Sequence, residues 1–115
     1  MDMILVVCGA GASSTFLASR MRALAIERGL DITARAASNL DLSLRLADAR
    51  VLLVGPHLEP HFGELKAEAA LHSVPAALLP STAFGPQGAT DALDQALSLL
   101  TATTEDVPIE RRPHA

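Results

Sequence analysis

The segment 8–15 combines one cysteine, two glycines and three hydroxyl residues, and together these residue types can hold a phosphate group and attack it. Glycine and alanine leave backbone N–H groups uncovered, so the chain can wrap around an anion, while serine and threonine add donors or cap a helix. The N-terminus of a following helix adds the positive end of its dipole. We therefore predict Cys8 as the nucleophile. The predicted phosphate-binding loop consists of Gly9, Ala10, Gly11, Ala12, Ser13, Ser14 and Thr15.

Cys8 is the only cysteine of the chain, which excludes an internal disulfide and a metal site built from several cysteines of one chain. A thiol that faces helix N–H groups has a lowered pKa, so this position predicts a thiolate near neutral pH. The alternative is structural: Cys8 would be a small buried hydrophobic side chain beside a glycine-rich turn.

Other known phosphate-binding loops fit this segment less well. A dinucleotide-binding fingerprint needs a third glycine where Ser14 stands and an acidic residue at the end of the second strand, where the chain has Arg35-Ala36-Ala37. A nucleotide-binding P-loop needs a lysine before Ser13 or Ser14, and there is none. Low-molecular-weight phosphatases carry an arginine at the position of Ser14, so hydrolysis here would lack its bidentate clamp. The related arsenate reductases usually need further cysteines.

Four apolar runs alternate with four helical patterns, and this order positions the loop. Short continuous apolar runs are typical of strands buried on both faces, and strict strand–helix alternation favours a parallel sheet. The predicted strands are 4–7, 30–36, 51–54 and 75–79, and the predicted helices are 14–28, 39–47, 59–71 and 87–100. The predicted fold is therefore α/β with three layers: a four-stranded parallel sheet flanked by helices, with the phosphate-binding loop after strand 1. Cys8 then lies at the carboxyl edge, where such sheets bind ligands.

Length and composition limit the remaining possibilities. The 115 residues fit one domain, predicted over residues 1–101, followed by a flexible tail over residues 102–115. A net charge of −4, with three Phe and no Tyr or Trp, argues against nucleic-acid binding. No apolar run approaches the about 20 residues of a membrane helix.

Two histidines near the third predicted strand are candidate ligands or bases. His57 is expected at the same edge as Cys8 and could tune the thiolate, but the simpler interpretation is a solvated loop histidine. His57 and His61 are spaced like two ligands on one helical face. Because Pro60 lies between them and no third ligand is near, no metal site is predicted.

The residues from Cys8 to Arg22 resemble the IIB proteins of the lactose/cellobiose class of phosphotransferase systems (PTS). Residues 51–57 are similar to the third strand of those proteins with its Gly-Pro exit, and residues 75–88 to their fourth strand and the loop after it. The resemblance covers about residues 3–100. It implies a cytoplasmic carrier whose Cys8 receives a phosphoryl group from a histidine of a IIA partner and gives it to a sugar held by the membrane IIC transporter. It implies no metal or nucleotide cofactor on this subunit.

Three positions depart from the pattern of these IIB proteins. Pro80 stands where an acidic residue is common, Phe84 where Tyr is common, and His57 where Gln is common. Pro80 and Phe84 are expected near the surface that contacts IIA. Two other functions stay open at this point: a phosphatase-like hydrolase on the same fold, and a non-catalytic anion-binding regulatory module.

Overall fold

Strands and helices alternate along the chain, as the apolar pattern predicts. The structure, a computed structural model, describes residues 2–8, 11–38 and 41–105. The strands are β1 Asp2–Val7, β2 Ile32–Ala37, β3 Val51–Val54 and β4 Ala76–Leu78. The helices are α1 Gly11–Glu27, α2 Leu42–Leu46, α3 Phe62–Leu71 and α4 Gly88–Glu105. Two short 3-10 segments, Pro56–His61 and Ser81–Phe84, follow β3 and β4.

The four strands form one parallel sheet in the order β2-β1-β3-β4. Val7, the last residue of β1, pairs with Ala37 on one side and Val54 on the other. Because all strands run in the same direction, their carboxyl ends share one edge, and the residue after β1 lies between two neighbouring strand ends. The direction of chain crossing reverses between β1 and β3, the point where open α/β sheets bind ligands.

Two hydrophobic clusters fill the space between the sheet and its helices. Alternate residues of each central strand point to opposite faces, so β1 and β3 contribute to both clusters. The first cluster joins the sheet to α1 and α4 and includes Ile4, Val6, Cys8, Leu17, Met21, Val51, Leu53 and Leu93. The second joins the sheet to α2 and α3 and includes Leu5, Val7, Leu42, Leu46, Leu52, Val54, Leu65 and Ala69. The predicted three-layer α/β fold is confirmed.

The outer strand β2 is partly covered by a side chain from the helix before it. Arg22 of α1 donates a hydrogen bond from Nη1 to the carbonyl oxygen of Ala34, over 2.6 Å. The opposite outer strand, β4, is only three residues long. The β2 edge therefore has one carbonyl already occupied, and the β4 edge offers only a short strand for pairing.

Element boundaries differ from the sequence predictions at three helices. Helix α1 begins at Gly11 rather than at residue 14, because the Gly-Ala-Ser segment continues the helix instead of extending the loop. The predicted helix 59–71 divides into a 3-10 segment that contains Pro60 and α3, which begins at Phe62. The start of the predicted helix 39–47 lies outside the described residues, and α2 covers only Leu42–Leu46.

The C-terminal end of the helical part also differs from the sequence prediction. Helix α4 continues to Glu105, so residues 102–105, predicted as part of the tail, are helical. Residues 106–115 lie outside the described residues, and for them the tail stays a prediction. Within the described part of the chain, no helix is long and apolar enough to cross a membrane.

Candidate functional site

Cys8 follows the buried strand β1 and lies at the carboxyl edge of the sheet. It belongs to the hydrophobic cluster under α1 and α4, and only 4% of its surface is exposed. The ladder between β1 and β3 continues one residue past the strand ends, since the Gly55 N–H donates to the Val7 carbonyl over 2.8 Å. Cys8 is therefore held between a helix and two strand ends.

Helix α1 begins at Gly11, so its N-terminus follows Cys8 after two residues, Gly9 and Ala10, which lie outside the described residues. Gly11, Ala12 and Ser13 are the first three residues of α1. The first backbone N–H groups of a helix have no partner within the helix and can bind an anion. The predicted loop is thus partly a helix N-terminus.

The two remaining predicted phosphate-binding residues lie further along the helix. Ser14 is fully buried, and Thr15 is exposed. No buried side-chain oxygen or nitrogen in the described part of the chain, Ser14 included, lacks a hydrogen-bond partner. Phosphate binding by the segment Gly9–Thr15 stays a prediction.

Burial raises the pKa of the Cys8 thiol to about 11. The charged thiolate is poorly stabilised among aliphatic side chains, so the proton is held more tightly than in water. The sequence prediction of an acidic thiol is therefore wrong for this state of the protein. It took the helix dipole into account but not the loss of solvent around the sulfur, which depends on the packed fold.

Gly55, the residue after β3, lies directly against the thiol. A Cβ atom at Gly55 would be 2.6 Å from Cys8 Sγ. In the sequence, Gly55-Pro56 is interpreted only as a strand exit. A signal was available, because a glycine at the carboxyl end of a strand marks a place where another group approaches the backbone closely.

Aromatic and basic side chains lie at this edge, and we call Phe16, Arg20, His57 and Phe84 the rim; Phe84 is half-buried and the other three are exposed. Phe16 is 60% exposed, and the Arg20 Cζ atom lies 5.7 Å from its ring centroid. Phe16, Arg20 and Phe84 line one narrow crevice. The ring centroids of His57 and Phe84 are 6.4 Å apart, so the rim is continuous.

The rim matches part of the sequence interpretation. His57 is exposed, in agreement with a solvated histidine, and with Pro56 and Ser81 it lines a hollow of about 290 Å³. Pro80, which precedes the 3-10 segment Ser81–Phe84, is exposed as well. Phe16 is not predicted from the sequence, because its place beside Arg20 and Phe84 follows only from the packing of α1.

Known proteins with similar sequence decide the family. Residues 3–95 match the family described as PTS system, Lactose/Cellobiose specific IIB subunit. The chain belongs to this family. The PTS system oligo-beta-mannoside-specific EIIB component of Bacillus subtilis (strain 168) is 30% identical to this IIB chain over 102 residues, which cover 87% of this chain and 97% of that protein.

Two solved structures have the same fold as this IIB chain. The cellobiose-specific IIB component of Borrelia burgdorferi superposes with a TM-score of 0.72 at 22% identity, covering 89% of this chain and 94% of that one. The lactose-specific IIB domain of Streptococcus pneumoniae gives a TM-score of 0.65 at 13% identity, covering 93% and 98%.

Family membership confirms the predicted resemblance and determines the class of reaction. IIB components are sugar phosphotransferases that work with IIA and IIC components of the same system. The family therefore favours phosphotransfer over the phosphatase-like hydrolase and the regulatory module that the residues alone left open.

A larger cavity of this IIB chain lies away from Cys8. It measures about 620 Å³ and is lined by Met3, Arg35, Asp41, Leu44, Arg45 and Asp48. The Arg45 side chain donates a hydrogen bond to Asp41 over 2.7 Å, and this contact, with a backbone hydrogen bond from Ser38, lowers the pKa of Asp41 to about 2. Its charges are balanced, and none of its residues belongs to the Cys8 edge.

Proposed function

We propose that Cys8 of this IIB component accepts a phosphoryl group from the phosphohistidine of a IIA protein and passes it to a sugar bound by the membrane IIC transporter. One observation carries the proposal: the only cysteine follows β1 at the carboxyl edge of the sheet, and two residues separate it from Gly11, where α1 begins. A nucleophile at this place can reach an anion that the helix N-terminus binds.

The first transfer step exchanges one bond for another. The Cys8 sulfur attacks the phosphorus atom, the S–P bond forms, and the P–N bond of the phosphohistidine breaks. The thiol proton passes to the nitrogen of the leaving imidazole, so the step needs no further base. In the second step a sugar hydroxyl oxygen attacks the same phosphorus atom, the S–P bond breaks, and the hydroxyl proton returns to the sulfur.

Backbone N–H groups of residues 9–13 are proposed to hold the transferred phosphoryl oxygens, with Ser14 and Thr15 completing the segment. Unpaired N–H groups at a helix start carry partial positive charge and need no reorganisation when the phosphoryl group arrives. A cradle without a guanidinium stabilises the bound phosphoryl group and gives hydrolysis no bidentate clamp. This is the electrostatics that a carrier needs, because a carrier must keep its phosphoryl group until the acceptor arrives.

The raised pKa of Cys8 fits a carrier that reacts only with its partner. With a pKa of about 11, nearly all free molecules hold the thiol protonated near neutral pH, and thiols react through the thiolate. The free protein is therefore slow toward unrelated electrophiles. A docked phosphohistidine supplies both the electrophile and the acceptor for the thiol proton.

The rim is proposed as the surface that both partners contact in turn. Aromatic and arginine side chains contribute a large share of binding energy at protein interfaces. Phe16, Arg20 and Phe84 provide both kinds beside the edge that carries Cys8. Since one thiol must meet the donor and then the acceptor, the two partners use overlapping surfaces and cannot bind together. We propose that this exchange takes place at the cytoplasmic face of the membrane.

A phosphoenolpyruvate-driven relay with radiolabelled phosphate tests the proposal. We expect label on the wild-type protein and none on Cys8→Ser, with circular dichroism showing that the variant keeps its fold. The label should persist in buffer and leave quickly when sugar-loaded transporter membranes are added. Decay at the same fast rate with and without those membranes would refute the carrier and favour the hydrolase.

A further inference from the structure

We propose that Gly55 is a positioning residue for the Cys8 thiol: the sulfur occupies the place that a side chain at residue 55 would fill. The contact itself is independent of what Cys8 does, whereas the consequence for phosphoryl transfer rests on the function proposed above.

The atoms nearest to the place of a side chain at Gly55 belong to Cys8. A Cβ built there would lie 2.6 Å from Cys8 Sγ, 3.3 Å from Cys8 Cβ and 3.4 Å from Cys8 Cα, so its three nearest neighbours all belong to one residue. Carbon atoms in contact are about 3.5–4.0 Å apart, and sulfur is larger. Gly63, by contrast, would have no atom within 4 Å of an added Cβ.

The backbone conformation of Gly55 does not itself require glycine. Its φ of −64° and ψ of 151° lie in the extended region that any L-residue adopts. The demand for glycine therefore comes from the sulfur.

The backbone around Gly55 is also held in place from several sides. The Gly55 N–H donates to Val7 over 2.8 Å, and the Leu58 N–H donates to the Gly55 carbonyl over 3.0 Å. The Leu79 N–H donates to the Val54 carbonyl over 2.7 Å. An added methyl group would therefore displace the thiol, by about 1 Å, rather than the strand end.

Such a displacement matters for a reacting atom. A misplacement of about 1 Å can reduce a reaction rate about 100-fold, because the attacking atom no longer meets the phosphorus in line. Gly55 is not on the rim, so partner docking should be unaffected. We expect Gly55→Ala to lower kcat for phosphorylation by phosphorylated IIA about 100-fold and to leave KM for IIA within about twofold.

A double-mutant cycle on thermal stability tests the contact without any phosphorylation. Gly55→Ala should lower the Tm in the wild-type background and lower it much less in Cys8→Ala, which has no sulfur. Gly63→Ala is the matched control and should behave alike in both backgrounds. An equal loss of Tm from Gly55→Ala in both backgrounds would overturn the proposal.

Two further outcomes separate the inference from the function. If Gly55→Ala alone does not fold, the proposal requires that Cys8→Ala/Gly55→Ala does fold, and failure of both overturns it. If Gly55→Ala folds, a wild-type kcat with a stability coupling would confirm the contact but refute the positioning role. If wild-type Cys8 takes up no label at all, the proposed function fails, while the stability cycle still decides the contact.

Discussion

The Cys8–Gly55 contact and the rim lie at the same edge of the sheet but differ in burial and chemistry. The contact is buried, contains no charged side chain and brings two residues together with no room for a methyl group. The rim is mostly exposed, aromatic and basic: the His57 and Phe84 ring centroids are 6.4 Å apart, and Arg20 Cζ lies 5.7 Å from the Phe16 ring centroid. On the proposed function, this difference would divide the work: the buried contact would determine where and in which protonation state the sulfur reacts, and the rim would determine which protein reaches it.

Replacing the nucleophile should have the largest effect and tests the buried side of this comparison. Cys8→Ser should reduce phosphoryl uptake to background, because a serine hydroxyl is a far weaker nucleophile at neutral pH. The exposed surface is unchanged, so the variant should still bind IIA as tightly as the wild type. Loss of IIA binding, measured by calorimetry, would show that the two regions are not separate.

The thiol of the free protein should be about 100-fold less reactive toward iodoacetamide at neutral pH than the same thiol in the unfolded chain. The reason is the pKa raised from 9.0 to about 11, which lowers the thiolate fraction by about two powers of ten. The alkylation rate measured against pH should therefore have its midpoint near 11. A midpoint at or below 9 would contradict the desolvation argument and restore the acidic thiol expected from the helix N-terminus.

The same shift has a consequence for stability, which provides a control. Between pH 9 and pH 11 the unfolded chain loses the Cys8 proton while the folded chain keeps it, so the unfolded state binds fewer protons and the folded state loses stability as the pH rises. Cys8→Ala lacks this group. The wild type should therefore lose more stability than Cys8→Ala over this range.

A rim substitution should have a smaller effect of a different kind. Phe16→Ala should raise KM for phosphorylated IIA about tenfold and leave kcat nearly unchanged, since an interface aromatic contributes more than 1 kcal/mol. Ile26→Ala is the matched control: it lies on the same helix and is 78% exposed, but it does not belong to the rim. Equal effects of the two substitutions would mean that the rim is not the docking surface.

The extent of sequence-based prediction also differs between the two regions. The continuous apolar runs of β1 and β3 are sufficient to predict buried parallel strands, and a cysteine after β1 is then necessarily at the carboxyl edge. The contact with Gly55 was not predictable in this way, because it depends on β3 lying beside β1 in the sheet. Apolar runs identify strands, but strand order comes from how the helices pack.

The pKa of the Cys8 thiol was harder still to predict. The acidic thiol followed from local sequence, whereas the raised pKa comes from residues far apart in the chain, such as Leu17, Leu79 and Leu93, that exclude water from the same cluster. Phe16 was missed for a related reason, since its place beside Arg20 and Phe84 depends on how α1 packs against the segment after β4.

The smallest effect is expected from shortening the C-terminus. Removing residues 106–115 should leave phosphoryl uptake unchanged and shift the Tm by no more than about 1 °C, because this segment has few apolar side chains to bury. A cut after residue 101 should cost more, since it removes the last turn of α4. A large loss of Tm from the shorter deletion would extend the fold to the C-terminus.

The hydrogen bond from Arg22 to the Ala34 carbonyl bears on how the protein behaves at high concentration. Open strand edges recruit unpaired strands of other molecules. The Arg22 guanidinium on the β2 edge and the three-residue length of β4 on the other edge reduce the backbone available for such pairing. On the proposed function, in which one partner is released before the other binds, strand edges that discourage pairing with further copies would leave the protein free for its partners.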